Sequence, residues 1–160
     1  MDRLIELLKT NARASLEDLA KALNLTEAEV AQRIDQLEKE GVLLGYQTVF
    51  NHEKVKVHGE VEAVIEVRIT PERGGGFDRV ASRIAKFDEV QSCYLMSGGY
   101  DLLIIVEGET LQSVARFIAE KLSTIKGIIS TATHFRLKAY KENGLLLQRD
   151  PKPERLPVTP

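Results

Sequence analysis

A chain of 160 residues with 43% hydrophobic and 29% charged residues has globular composition, enough for one medium domain or two small ones. The lone Cys93 excludes an internal disulfide and a thiolate-rich zinc site, and no apolar stretch approaches the roughly 20 residues that span a bilayer, so a cytoplasmic protein free of membrane is expected. A formal net charge of −2 excludes a globally basic polyanion binder, so any affinity for nucleic acid has to come from local pattern.

Apolar residues Leu4, Ile5 and Leu8 recur at helical spacing and predict a first helix from Leu4 to about Asn11. Ser15-Leu16-Glu17-Asp18 places a hydroxyl cap before a second short helix with the stripe Leu16, Leu19, Ala20 and Leu23, ended by Asn24, which tolerates left-handed backbone. Thr26-Glu27-Ala28-Glu29 is a capping box and opens a third helix that buries Val30, Ile34 and Leu37 and stops at Gly41. Helix, short turn, helix is thus written in caps. Residues 42–50 change period and read as strand with a turn at Gly45, the position of a wing.

Residues 51–59 lack a clear period and are taken as a linker. Val61, Ala63, Ile65, Val67 and Ile69 then alternate with polar residues as a half-buried strand does. A loop from Pro71 to Gly76, with Gly74-Gly75-Gly76 lacking the spacing of a phosphate loop, leads to a helix marked by Phe77, Val80, Ala81 and Ile84. Two strands, about 90–96 and 102–106, flank Ser97-Gly98-Gly99-Tyr100-Asp101. Thr110 caps the next helix, and a last strand runs from Gly127 to about Ala139. The order β-α-β-β-α-β predicts a ferredoxin-like domain over 60–142 behind a winged helix-turn-helix over 1–50, an α+β protein. Four of the five prolines fall in 143–160, which argues against a regular helix there and leaves a disordered tail as one reading. The aliphatics Leu145-Leu146-Leu147 favour an arm packed on the body or on a neighbouring subunit.

Ile5-x-x-Leu8, Asn11-Ala12-Arg13, Leu19-Ala20, Val30-x-x-Arg33-Ile34-x-x-Leu37-Glu38, Gly41-Val42 and Gly45-Tyr46 resemble the winged helix-turn-helix of the leucine-responsive regulatory protein (Lrp/AsnC) family. Ser97 through Asp101 and Gly127-Ile128-Ile129-Ser130-Thr131-Ala132-Thr133 resemble its amino-acid-sensing, ACT-like domain. The pattern departs from the family at Lys126, where Pro is common, and at Asn24, where Gly is frequent. The resemblance implies a transcriptional regulator that binds double-stranded DNA, a homo-oligomer built from dimers, and a small amino-acid effector bound near the subunit interface.

With the third helix in the major groove, the residues opposite its buried stripe are Ala28, Gln32, Asp35, Gln36 and Lys39, with Thr26 near a phosphate. Gln pairs bidentately with adenine and Arg33 reaches guanine, unless Glu29, four residues earlier, holds Arg33 in an intrahelical ion pair. Eight basic against ten acidic residues over 1–56 predict weak binding per subunit and a dependence on assembly. For the effector, Gly98 and Gly99 let backbone approach a ligand, Tyr100 and Asp101 offer a hydroxyl and a carboxylate to an α-ammonium, and Ser130, Thr131 and Thr133 add hydroxyls from a partner subunit. The plain alternative is a hairpin turn capped by Asp101.

Two other readings stand beside the regulator: an effector-binding oligomer that has lost DNA binding, and a haem-pathway decarboxylase on the same plan. Scattered His52, His58 and His134 and the absence of Trp speak against the second, and no catalytic residue, cofactor or metal is assigned. Cys93, inside a strand, reads as core filler.

Overall fold

The computed structural model describes residues 2–51, 54–55, 61–70 and 76–147. The chain divides into two compact units, Met1–Phe50 and Asn51–Pro160. Most of the 51–59 linker, the 71–75 loop and the tail from residue 148 lie outside the described residues.

The first unit is three helices. Helix α1, Arg3–Thr10, starts at Asp2, whose carboxylate accepts the Leu4 amide at 3.0 Å. Helix α2, Leu16–Leu23, is capped as expected by Ser15 and ends at Asn24 in the left-handed region, φ 57°. Helix α3, Glu27–Lys39, carries the full reciprocal capping box of Thr26 and Glu29, and Gly41 leaves it at φ 68°. The three apolar stripes meet in one core of Leu4, Leu8, Leu19, Ala20, Val30 and Leu37. Burying a Leu or Val side chain contributes about 1.5–3 kcal/mol. The exposed i,i+4 pairs Lys21–Glu17 and Lys39–Asp35 contribute roughly 0.3–0.5 kcal/mol each, so packing decides this unit.

The expected wing is corrected. Residues 42–50 form no strand, and Gly45 does not adopt a left-handed turn conformation. The amides of Val42 and Leu43 both return to the Leu37 carbonyl, and Tyr46 donates its hydroxyl to Glu38 at 3.3 Å. A strand needs a neighbour for its backbone groups, and no other strand is described in this unit.

In the second unit the chain order is β1 (Val61–Ile69), α4 (Gly76–Ile84), β2 (Val90–Leu95), β3 (Leu102–Gly108), α5 (Leu111–Arg116, continuing as a wider π-helical turn, Phe117–Leu122), and β4 (Ile128–Phe135). The strands form one antiparallel sheet in the order β2-β3-β1-β4, the predicted ferredoxin-like topology. Strand β4 stops at Phe135, four residues short of expectation, because β1 ends its pairing there with Ala63 opposite Phe135. Alternation on β1 and β3 drives Ala63, Ile65, Val67, Leu102, Ile104 and Val106 to full burial beneath the helices. Val80 and Ile84 of α4 and Val114, Phe117 and Leu122 complete that core. Cys93 faces the same side, half-buried near the Ala81 carbonyl, and burial pushes its thiol above the ordinary value, as suits a packing residue.

The described part of the C-terminal arm is a hairpin, β5 (Lys141–Glu142) and β6 (Leu145–Leu146), turned by Asn143 and Gly144 at φ 44° and 86°. Consecutive positive φ values are what an Asn-Gly turn supplies. Its end is held where Asn51 donates from its side-chain Nδ2 to the Leu147 carbonyl at 2.9 Å.

Among the glycines described in this unit the tightest approach lies at Gly108, where a Cβ would sit 2.6 Å from Ser113 Oγ and 2.8 Å from Val114 Cγ2. Val114 is core and cannot retreat, so Gly108→Ala is expected to destabilise the fold by about 1–3 kcal/mol in urea or thermal unfolding.

Candidate functional site

On α3, Ala28 and Gln32 are exposed with Arg33, Gln36 and Lys39 around them. Three of these side chains are engaged within the chain. Arg33 donates from Nε and Nη2 to Asp2 Oδ2, at 3.3 and 3.0 Å, and from Nη1 to Gln36 Oε1 at 3.1 Å. Gln36 in turn donates to Glu40 at 2.7 Å, and Lys39 pairs with Asp35 at 2.6 Å. The alternative expected for Arg33, an ion pair with Glu29, does not form. Glu29 is committed to the cap, accepting the Thr26 amide and hydroxyl at 2.8 Å each.

Thr26 is therefore a cap whose hydroxyl is already donated, with the carboxylates of Glu27 and Glu29 in the same first turn. The Thr26 amide and hydroxyl hold the Glu29 carboxyl below its ordinary value. The Leu4 amide, followed by Arg33, does the same for Asp2. Asp2 is the functional neighbour that sequence reading missed. Its position before a helix signals a cap, but nothing in the sequence joins it to a residue 31 positions away.

The second site is the turn between β2 and β3. Asp101 donates its amide to the Val67 carbonyl at 3.0 Å, while its carboxylate accepts the Ile69 amide at 2.7 Å. The β1–β3 register ends at Val67 opposite Leu102, so the Asp101 side chain supplies the acceptor for the next amide of β1. Arg68 donates to the Gly99 carbonyl at 3.0 Å. Gly98 has φ 148°, and a Cβ on Gly98 or Gly99 would meet nothing within 4 Å, so the turn presents open backbone. Tyr100 and Asp101 are half-buried.

Strand alternation separates the hydroxyls. Ser130 stands opposite Arg68, on the exposed face and at the turn's end of the sheet. Thr131 and Thr133 stand opposite Val67 and Ile65, on the face the helices cover. Gly99 and Ser130 are thus linked through Arg68, a residue the sequence offered only as an exposed strand position. Thr133 lies further along β4. Among the described residues no cluster of His, Cys, Asp or Glu could hold a metal ion, and no helix is long and apolar enough to cross a membrane.

A capped helix-turn-helix followed by a ferredoxin-like sheet with an open glycine turn defines the class of helix-turn-helix regulators with a sensing domain. Residues 2–38 match the AsnC-type helix-turn-helix domain and residues 62–146 match the Lrp/AsnC ligand binding domain. The chain is 45% identical over 157 residues to an uncharacterised HTH-type transcriptional regulator, YugG, of Bacillus subtilis, covering 98% of this chain and 95% of that one. The leucine response regulatory protein of Mycobacterium tuberculosis has the same fold, with a TM-score of 0.72 at 22% identity over 91% of this chain and 95% of that one. So has a transcriptional regulator of Neisseria meningitidis solved with L-Met, with a TM-score of 0.67 at 24% identity over 92% and 97%. The chain belongs to the Lrp/AsnC family of transcriptional regulators.

Because their folded carboxyls titrate below the ordinary 3.8 and 4.5, Asp2 and Glu29 add stability that is fully present above those values and is lost as pH falls through the lowered ones. Asp2→Asn and Thr26→Ala are each expected to lower the unfolding temperature by a few degrees at neutral pH. The gap to the parent protein should narrow as pH drops below about 4, followed by circular dichroism.

Proposed function

We propose that α3 reads double-stranded DNA through Ala28, Gln32, Arg33, Gln36 and Lys39, with Thr26 at its N-terminus. We further propose that the protein acts as a homo-oligomer and that the 97–101 turn with Ser130 receives a small amino-acid effector. The observation that carries the DNA reading is the face of α3: a capped helix anchored by Val30 and Leu37 holds two exposed residues, Ala28 and Gln32, between polar side chains able to pair with base edges. The open backbone at Gly98 and Gly99 supports the effector reading, as does the L-Met bound by the neisserial relative. Thr131 and Thr133 enter this reading only as hydroxyls at the β4 edge. The family of HTH-type regulators favours this role over an enzymatic one.

The Arg33–Asp2 pair gives the acidic charge balance a mechanism. Arg33 has to exchange Asp2 for DNA, and α3 presents Glu27 and Glu29 at the end where a phosphate would approach. Affinity per subunit is then low, and linked subunits make up the difference. The same observation favours a second reading, an effector-binding oligomer that no longer binds DNA.

Selection of genomic fragments with the purified protein, at low and moderate salt and with and without an amino-acid mixture, separates the two. Enriched palindromes spaced by helical turns support the regulator, and no enrichment under any condition supports the second reading. On an enriched fragment, Asp2→Asn is expected to tighten binding roughly two- to fivefold in gel-shift titration, the scale of one exposed ion pair released. Weaker binding would instead make Asp2 the residue that positions Arg33.

A further inference from the structure

Resting on the effector reading of residues 97–101 and Ser130, we propose that Arg68 receives the carboxylate of the ligand. The site then recognises small carboxylic acids by their acid group rather than by their ammonium. Arg68 lies on the exposed face of β1 and donates from Nε to the Gly99 carbonyl at 3.0 Å. Among the described residues that is its single hydrogen bond, and it makes no ion pair. Glu66, the next residue on the same face, lies against His134 at 3.4 Å instead. The two Nη groups of Arg68 are therefore unengaged beside the glycine turn, and together they offer the parallel N–H pair that a carboxylate accepts.

The tether to Gly99 marks the place more than the missing ion pair does. It fixes the guanidinium against open backbone, where a Cβ on Gly98 or Gly99 would meet nothing within 4 Å, so the fork is partly ordered before a ligand arrives. Ser130, opposite Arg68 on β4 and exposed, adds a hydroxyl at cross-strand distance.

Asp101 is committed differently. Its amide donates to the Val67 carbonyl, its carbonyl accepts the Met96 amide at 2.8 Å, and its Oδ2 accepts the Ile69 amide at 2.7 Å. A ligand ammonium drawn to that oxygen would compete with the bond that fastens the turn to β1. The charge of the ligand is left to Arg68. An amino acid and its des-amino analogue present the same carboxylate to the fork. A carboxamide lacks the charge and sets an NH2 donor against guanidinium donors.

The test uses the full chain and calorimetric titration with each common amino acid, followed, for each that binds, by its carboxamide and its des-amino acid. The carboxamide is expected to bind about tenfold or more weakly than the acid, from loss of a charge-assisted pair, and the des-amino acid to lose less than the carboxamide does. Arg68→Gln should bring the acid down to the affinity of its carboxamide while leaving the carboxamide nearly unchanged. A turn merely loosened by the substitution would weaken both alike, so the ratio of the two affinities reads the contact itself. Arg68→Lys, which keeps the charge on this exposed position, should restore part of the preference for the acid. Equal affinities for acid and carboxamide in the parent, or a preference that survives Arg68→Gln, overturn the inference and leave the effector reading standing. No binding of any amino acid overturns the effector reading itself and this inference with it.

Discussion

Strand β1 is the constraint on which the sensing unit depends. It is paired on both edges, with β3 through residues 61–67 and with β4 through residues 63–69, and its inner face is almost wholly removed from water. A central strand of this kind has no freedom of register, because a slip by one residue would turn Ile65 and Val67 outward and Glu66 and Arg68 into the core. Everything attached to its ends is therefore placed accurately. Where its backbone pairing with β3 runs out, the Asp101 carboxylate takes the next amide and Arg68 takes the Gly99 carbonyl. The glycine turn is thus fastened to the most rigid element of the unit while its own backbone stays open.

The helix-turn-helix unit rests on a smaller core, six buried side chains, and on caps that locate each helix start. Those caps use carboxylates freely: Asp2 opens α1 and Glu29 closes the box on α3. Carboxylates are good partners for helix N-termini and poor neighbours for phosphates, so under the proposed DNA reading the caps that stabilise this unit would oppose the approach of a phosphate. The network from Asp2 through Arg33 and Gln36 to Glu40 is the structural form of that conflict. It keeps the exposed face of α3 ordered.

Legibility in the sequence followed the range of each interaction. Caps at Ser15, Thr26 and Thr110, the left-handed Asn24 and the alternation of β1 act within a few residues, and all were readable. The Asn143-Gly144 turn is equally local, but its strands are only two residues each, too short to show an alternation in the sequence. The wing failed for a physical reason: apolar and polar alternation in 42–50 states a preference for extended backbone, yet a strand exists only beside another strand. The Glu29–Arg33 pair failed because a shorter-range partner, the cap, claimed Glu29 first.

The sequence by itself determined the order of the five helices and the four strands of the main sheet, the cap positions and the apolar faces of β1 and β3, since these follow from side-chain size, polarity and spacing along a few turns of backbone. From them came the two-unit architecture and the resemblance to the Lrp/AsnC family. Tertiary structure alone decided which polar groups meet: Asp2 with Arg33, Asp101 with the end of β1, and Arg68 with Gly99. Those meetings join positions about 30 residues apart, and the directions of hydrogen bonds are set by packing, which no local pattern encodes.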